Sequence, residues 1–456
     1  METHLPLHYI VQETTPSTSS TKADWSESSV PSNITVGSSS ASSTSCRLPP
    51  NGFKAWNNGL VTVLKPVIPR DCKKLMAGDE TEAKQIERAS KQWKGALSDT
   101  AFLTRTQHCS QLRKTFTDTL YNTFLEQRFP LAFTFVVHNS PQQVFRLLKL
   151  LYRPQNTFCI HYDIKTSANV RQIFDNIAKC FNNVMIASKL EDVIWGFNTI
   201  MEAQMNCLRD LHKYRTVQPA TLKWRYVINL CGKELPLASN KELVSHLVAL
   251  KGSSSVVPRK VELSDKEVRK RTQFKAVLNR KRSRAVTSSI PLGPIPFNIT
   301  LYKGSSYNAF SYAFVNFILT DSTVKAIHKF FMDCKNPEEH FFASVYMMPG
   351  VPGGYNPKLS KGHHYFRVAR AIWCFSGREC LFGIHCHGQV LHEVCITNSA
   401  DLPAIMSTLE QDGYMFHNKY FSEMDHTIMD CLEERIVAKN QEEYRKECLR
   451  NHTITQ

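Results

Sequence analysis

Long hydrophobic runs are missing from this 456-residue chain. It contains no stretch of ~20 apolar residues and no N-terminal signal peptide, so a membrane anchor is not visible in it. Its cysteines never fall in C-x-x-C pairs, and Cys and His are never spaced as in a zinc finger. That excludes zinc ribbons and finger modules. Acidic residues are the scarcer charge, 40 Asp and Glu against 56 Lys and Arg, for a formal net charge of +16. Such an excess points to acidic partners: phosphate esters, nucleic acid or anionic glycans. At 42% hydrophobic and 21% charged, the composition is otherwise that of an ordinary globular protein.

What is present begins with fourteen cysteines, more than a typical cytosolic enzyme carries. Three sequons accompany them, at Asn33, Asn298 and Asn451. Together they favour the secretory pathway and disulfide bonding.

Hydrophobic patterning organises the chain around residues 126–212. Short apolar runs at 131–137, 157–161 and 184–187 read as buried strands. Amphipathic stretches at 142–152 and 195–211 read as helices. The alternation implies βαβ units and a mainly parallel sheet flanked by helices, an α/β fold. Ligands of such sheets lie beyond the carboxyl ends of the strands, which makes His138 and Asp163 the first candidates. A further strand is expected at 224–231, with Asn240 capping a helix over 241–250, and a helix over 322–334. Asn336, Pro337 and Glu339 suit the N-cap, N1 and N3 positions of another helix, a complete structural explanation for Glu339.

Four segments follow from composition. Residues 1–50 are Ser/Thr-rich without a hydrophobic period, a disordered tail or stem. Residues 51–125 form a helical lead-in, 126–437 the main domain and 438–456 a C-terminal tail. The basic tract at 259–284 has no aromatic interleaving, so a solvated loop or helix is favoured there over a nucleic-acid surface.

Several separated motifs together resemble the β-1,6-N-acetylglucosaminyltransferases, the core 2 and I-branching enzymes of glycosyltransferase family 14. They are Val136-Val-His138, Tyr152-Arg-Pro-Gln-Asn156, Cys159-Ile-His-Tyr-Asp163, Ala187-Ser-Lys-Leu-Glu191, Asn206-Cys-Leu-Arg-Asp210, Tyr226-Val-Ile-Asn-Leu-Cys-Gly232, Gly304-Ser-Ser-Tyr307, Asn336-Pro-Glu-Glu339 and Asn418-Lys419. Each is weak alone; in order, over roughly 70–435, they form a specific set. The resemblance implies a GT-A-like fold and an inverting, metal-independent transfer of GlcNAc from UDP-GlcNAc to the 6-hydroxyl of an acceptor sugar on an O-glycan. It also implies the Golgi lumen and type II membrane topology. No Asp-x-Asp pair, the usual metal and diphosphate anchor of GT-A enzymes, occurs in the chain.

Carried over by the resemblance, Glu339 is the catalytic base, with Glu338 taking over at the helix start. Val136 and Asp163 contact the uracil end of the nucleotide, Trp195 lies near it, and Lys419 holds the diphosphate. Lys266, Arg269 and, with a shifted register, Trp373 hold the acceptor. Two positions depart from the family pattern. His392 stands where an arginine for the diphosphate is expected, so UDP binding should tighten as pH falls through about 6.5. Pro258 replaces an acceptor-binding glutamate. The family pairings imply disulfides Cys72–Cys431, Cys109–Cys180, Cys159–Cys207 and Cys386–Cys395, with Cys231 a free thiol. Cys46, Cys334, Cys374, Cys380 and Cys448 are left without assigned partners, and Cys46 offers a route to a disulfide-linked homodimer. The competing readings are a weakly active paralogue that binds glycans or partners, xylosyl transfer from UDP-xylose, and, on the basic tract alone, a nuclear protein.

Overall fold

The computed structural model describes residues 70–92, 98–116, 121–360, 367–375 and 377–454. All of them belong to a unit spanning Leu48–Gln456. Its centre is a five-stranded sheet. Four strands run parallel: β1 (Leu131–Val137), β2 (Thr157–Tyr162), β3 (Val184–Ile186) and β4 (Tyr226–Leu230). The strand Ala309–Ser311 closes the β4 edge antiparallel, so the order is 309–311, β4, β1, β2, β3. The mainly parallel α/β sheet expected from the patterning is therefore present.

Alternate side chains of these strands feed two cores, which makes three layers. Phe133, Phe135, Phe158, Ile160 and Ile228 pack with Phe145, Leu148, Ile173 and Phe174 of the helices Pro141–Leu151 and Ala168–Cys180. Ala132, Cys159 and Val227 face the other way, toward Met201, Leu208, Phe314 and Phe342. The third core, around Leu235, Leu237, Tyr420 and Leu432, joins the lead-in to the last helix. A second sheet runs through it, with Tyr414–Asn418 between Arg367–Ala371 and Glu234–Pro236.

Several element boundaries differ from those expected, each for a local reason. The third helix spans Asn198–Thr216 and starts three residues late, because Gly196 takes φ +73° and breaks the right-handed path. Ser239 rather than Asn240 is the N-cap of Asn240–Ala249: its hydroxyl accepts from the Glu242 amide, and the Glu242 carboxylate answers at the Ser239 amide. Asn240 instead donates to Glu126 at 2.6 Å. The basic tract is a helix, Lys266–Gln273, followed by a hairpin of Phe274–Leu278 with Ala285–Pro291. Residues 280–284 at its tip are exposed, the solvated surface that was favoured. The helix His426–Ile454 runs on through the segment set apart as a tail.

Five disulfides join described cysteines. Four are those implied by the resemblance: Cys72–Cys431, Cys109–Cys180, Cys159–Cys207 and Cys386–Cys395. The fifth, Cys374–Cys380, pairs two cysteines that had no assigned partner. Cys448 is disulfide-bonded as well. Cys231 is a free thiol, as is the buried Cys334. Asn298 is exposed, Asn451 lies within the last helix, and Asn33 and Cys46 lie outside the described residues.

Candidate active site

The strand order reverses between β1 and β4: from β1 the chain steps outward to β2 and β3, then returns past β1 to β4. In doubly wound sheets ligands bind beyond the strand ends at such a switch point. His138 and Ser140 follow β1 there, Asp163 follows β2, and Gly232 and Lys233 follow β4.

Val136 is half-buried in β1, in register with His161. Asp163 donates its amide to the Val137 carbonyl at 3.0 Å, which holds it at the sheet rim. Its carboxylate accepts from the Lys165 amide at 2.8 Å and pairs with the Lys165 ammonium at 2.9 Å. Lys165 also pairs with Asp192, so its charge is already matched.

Lys419 and Lys233 present a different balance. Their ammoniums lie over the same Phe421 ring, 5.7 Å and 4.6 Å from its centroid. Lys233 donates to Ser140 Oγ at 2.7 Å, bridging the ends of β4 and β1. Burial, opposed by Glu423 and reinforced by the charge of Lys419, holds the Lys233 ammonium below the usual lysine range. His138 beside them is pushed below the usual histidine range by burial and then by the charge of Lys233.

Beyond β3, the 191–196 loop carries the site toward the helix Pro337–Tyr346. Its Glu191 carbonyl accepts from the Ile164 amide at 3.2 Å, and its Gly196 carbonyl from the Asn336 amide at 2.8 Å. Trp195 on this loop is 58% exposed, with the Lys335 ammonium 5.9 Å from its ring centroid. The helix start differs from the capping box expected. Asn336 is left-handed, at φ 52°, and its side chain caps nothing. The Glu339 carboxylate turns away from the backbone to Arg271 at 3.2 Å and Lys303 at 3.3 Å. It keeps 23% side-chain exposure, enough to meet a substrate. Glu338 is buried in the first turn of the helix and leaves one carboxylate oxygen without a hydrogen-bond partner among the described residues. Burial, then the charge of Glu339, pushes its pKa up to about 8.

The acceptor candidates are more spread out. Lys266 is exposed in the first turn of its helix, and Arg269 caps the Leu263 carbonyl at 3.3 Å. It is Arg271, two residues on, that reaches Glu339. Trp373 is 43% exposed and stacks on Phe375, with centroids 6.2 Å apart. It bridges to Val394 of the hairpin formed by Gln389–Leu391 and Val394–Ile396. His392 and Glu393 form that hairpin's two-residue turn, with φ 50° and 64°. His392 is exposed, and no hydrogen bond or ion pair ties it to Lys419 among the described residues. Backbone hydrogen bonds thus link the turn after Asp163 to the Trp195 loop and that loop to the start of the Glu339 helix, while Lys419 lies with Lys233 beyond β4.

Sequence reasoning passed over Lys233, Arg271 and Lys303. Lys233 directly follows the Tyr226–Gly232 motif, and Arg271 sits in the basic tract, so both signals were adjacent to residues already singled out. Among the described residues, no group of three or more His, Cys, Asp or Glu side chains comes together as a metal site.

The structure thus offers paired lysines at the switch point, suited to an anion, and a partly exposed carboxylate at the start of the helix Pro337–Tyr346, suited to accept a proton. Residues 131–371 match the family described as Core-2/I-Branching enzyme. The chain is 35% identical over 329 residues to a zebrafish (Danio rerio) beta-1,3-galactosyl-O-glycosyl-glycoprotein beta-1,6-N-acetylglucosaminyltransferase 4, covering 71% of this chain and 73% of that one. It is 32% identical over 312 residues to a mouse (Mus musculus) N-acetyllactosaminide beta-1,6-N-acetylglucosaminyl-transferase, covering 68% and 73%. It is 28% identical over 387 residues to a human (Homo sapiens) beta-1,3-galactosyl-O-glycosyl-glycoprotein beta-1,6-N-acetylglucosaminyltransferase, covering 81% and 85%. The chain belongs to the Core-2/I-branching family of glycosyltransferases.

Proposed function

We propose that this chain is a metal-independent, inverting transferase of GT-A-like fold that moves GlcNAc from UDP-GlcNAc to the 6-hydroxyl of an acceptor sugar, making β-1,6 branches on O-glycans in the Golgi lumen. The observation that carries this reading is Glu339, an accessible carboxylate held between Arg271 and Lys303 on the helix that adjoins the Trp195 loop. In the proposed step the acceptor oxygen attacks C1 of GlcNAc from the side opposite UDP. Glu339 takes the hydroxyl proton, the bond from C1 to the diphosphate oxygen breaks, and the electron pair leaves with UDP. Arg271 and Lys303 fix the carboxylate's direction; Lys419 stabilises the charge that develops on the diphosphate. Val136 and Asp163 meet the uracil end, and Lys266, Arg269 and Trp373 face the acceptor.

The test is transfer from radiolabelled UDP-GlcNAc to O-glycan acceptors in EDTA, with Glu339→Gln beside the wild type. The wild type should transfer undiminished. Glu339→Gln should lose roughly 10²–10⁴-fold in rate while binding UDP as before. Transfer that survives in the variant, or wild-type transfer abolished by EDTA, would sink the mechanism. Competition by UDP-xylose distinguishes xylosyl transfer. UDP binding with no transfer to any acceptor would favour the weakly active paralogue, to which Pro258 and the exposed His392 point.

A further inference from the structure

We infer that Lys233 is a second fixed cation of the donor diphosphate site, acting beside Lys419 where the position expected to hold arginine carries His392. The inference rests on the donor reading above and adds a residue to it.

Place is the first argument. Lys233 stands at the switch point between β1 and β4, where the sheet's topology opens a crevice. Its position is imposed by its neighbours. Gly232 turns the chain at φ +77°, in a space where a Cβ would meet Val144 at 2.8 Å and Val137 at 2.9 Å. The Lys233 amide donates to Glu234 at 3.2 Å, and its carbonyl accepts from the Tyr420 amide at 3.0 Å. Lys233 is thereby bound to the same loop that carries Lys419.

Charge is the second. Two ammoniums share the Phe421 ring, and neither forms an ion pair with a carboxylate among the described residues. Glu423 attracts the Lys233 ammonium without forming an ion pair with it, and the oxygens of Glu234, the nearest carboxylate in sequence, are taken by Cys231, the Lys233 amide and Asn418. Lys165, in contrast, is matched by Asp163 and Asp192. Holding two like charges together in a mostly buried place is unfavourable unless an anion joins them. An ammonium has three donors, and Ser140 takes one from Lys233, so two remain for phosphate oxygens. A diphosphate, whose charge spreads over two phosphoryl groups, suits a pair of lysines better than a single one.

The experiment titrates disulfide-intact wild type, Lys233→Met and Lys233→Arg with UDP and with uridine, in EDTA. Lys233→Met should weaken UDP by about 10- to 100-fold, the range for losing a charged hydrogen bond. Its uridine affinity should stay at the wild-type value, which also shows that the variant is folded. Lys233→Arg, keeping the charge, should recover most of the loss. Lys233→Met binding UDP as well as the wild type would overturn the assignment. So would equal losses for UDP and uridine, since those mark a residue that merely holds the strand ends together. A wild type that binds UDP no better than uridine would instead overturn the donor reading itself.

Discussion

Glu338 and Glu339 are adjacent carboxylates with opposite environments. Glu339 is partly exposed and paired with two cations, whereas Glu338 is buried and leaves one oxygen without a hydrogen-bond partner among the described residues. With its pKa pushed up to about 8, Glu338 is mostly a neutral acid at pH 7. The sign of its effect on stability follows from linkage. The folded state holds this proton over a range where the unfolded chain has released it, so stability falls as pH rises from the ordinary carboxylate range through about 8. Glu338→Gln keeps the shape and removes the titration. Urea unfolding of wild type and Glu338→Gln should therefore diverge between about pH 5 and 8, the wild type losing on the order of a few kcal/mol relative to the variant. Parallel pH profiles would show that the Glu338 side chain ionises freely. The motif around Asn336 could be read from the chain, but this division of roles could not. Sequence spacing offers Glu339 to the helix start, and only the approach of Arg271 and Lys303 from distant segments turns it outward.

Elements decide how that carboxylate and the lysines are presented. The helix Lys266–Gln273 delivers Arg271, and the short pairing of Arg259–Lys260 with Tyr302–Lys303 delivers Lys303 to the same oxygen. Removing either cation leaves the base less well directed, and Arg271→Ala should lower kcat by roughly tenfold or more with little change in donor KM. A rise in donor KM with kcat unchanged would place Arg271 in donor binding instead. The turn after β4 is a second such device. Gly232→Ala must hold an L-residue at φ +77° and push Val144 and Val137 aside, so it should cost about 1–3 kcal/mol in thermal or chemical unfolding. Neutral stability there would mean that the turn relaxes, and Lys233 with it.

At the scale of the whole molecule, disulfides close what the strands begin. Cys72–Cys431 spans 359 residues and ties the lead-in to the last helix, which is also held by buried Arg146 pairing with Glu433 and Asp430. Replacing both cysteines by alanine should remove about 3–5 kcal/mol of stability. Denaturant midpoints check this, and a change below ~1 kcal/mol would mean that the packing around Leu432 and Tyr420 suffices alone. Non-reducing peptide mapping should return Cys374–Cys380 as a separate small loop beside Cys386–Cys395. Free thiols at 374 and 380 would count against the path of the chain around Trp373.

The amino-acid sequence alone determined the alternation of strands and helices, because burial on both faces of a parallel sheet imposes apolar runs that a linear pattern records. It also carried the ordered motifs, and the family resemblance those motifs support implied four of the five disulfides between described cysteines. Tertiary structure alone decided the partnerships. Lys233 and Lys419 are 186 positions apart yet share Phe421, and Arg271 meets Glu339 across 68 positions. Coulombic interaction depends on distance through space, and no local pattern encodes which distant charges the fold will bring together.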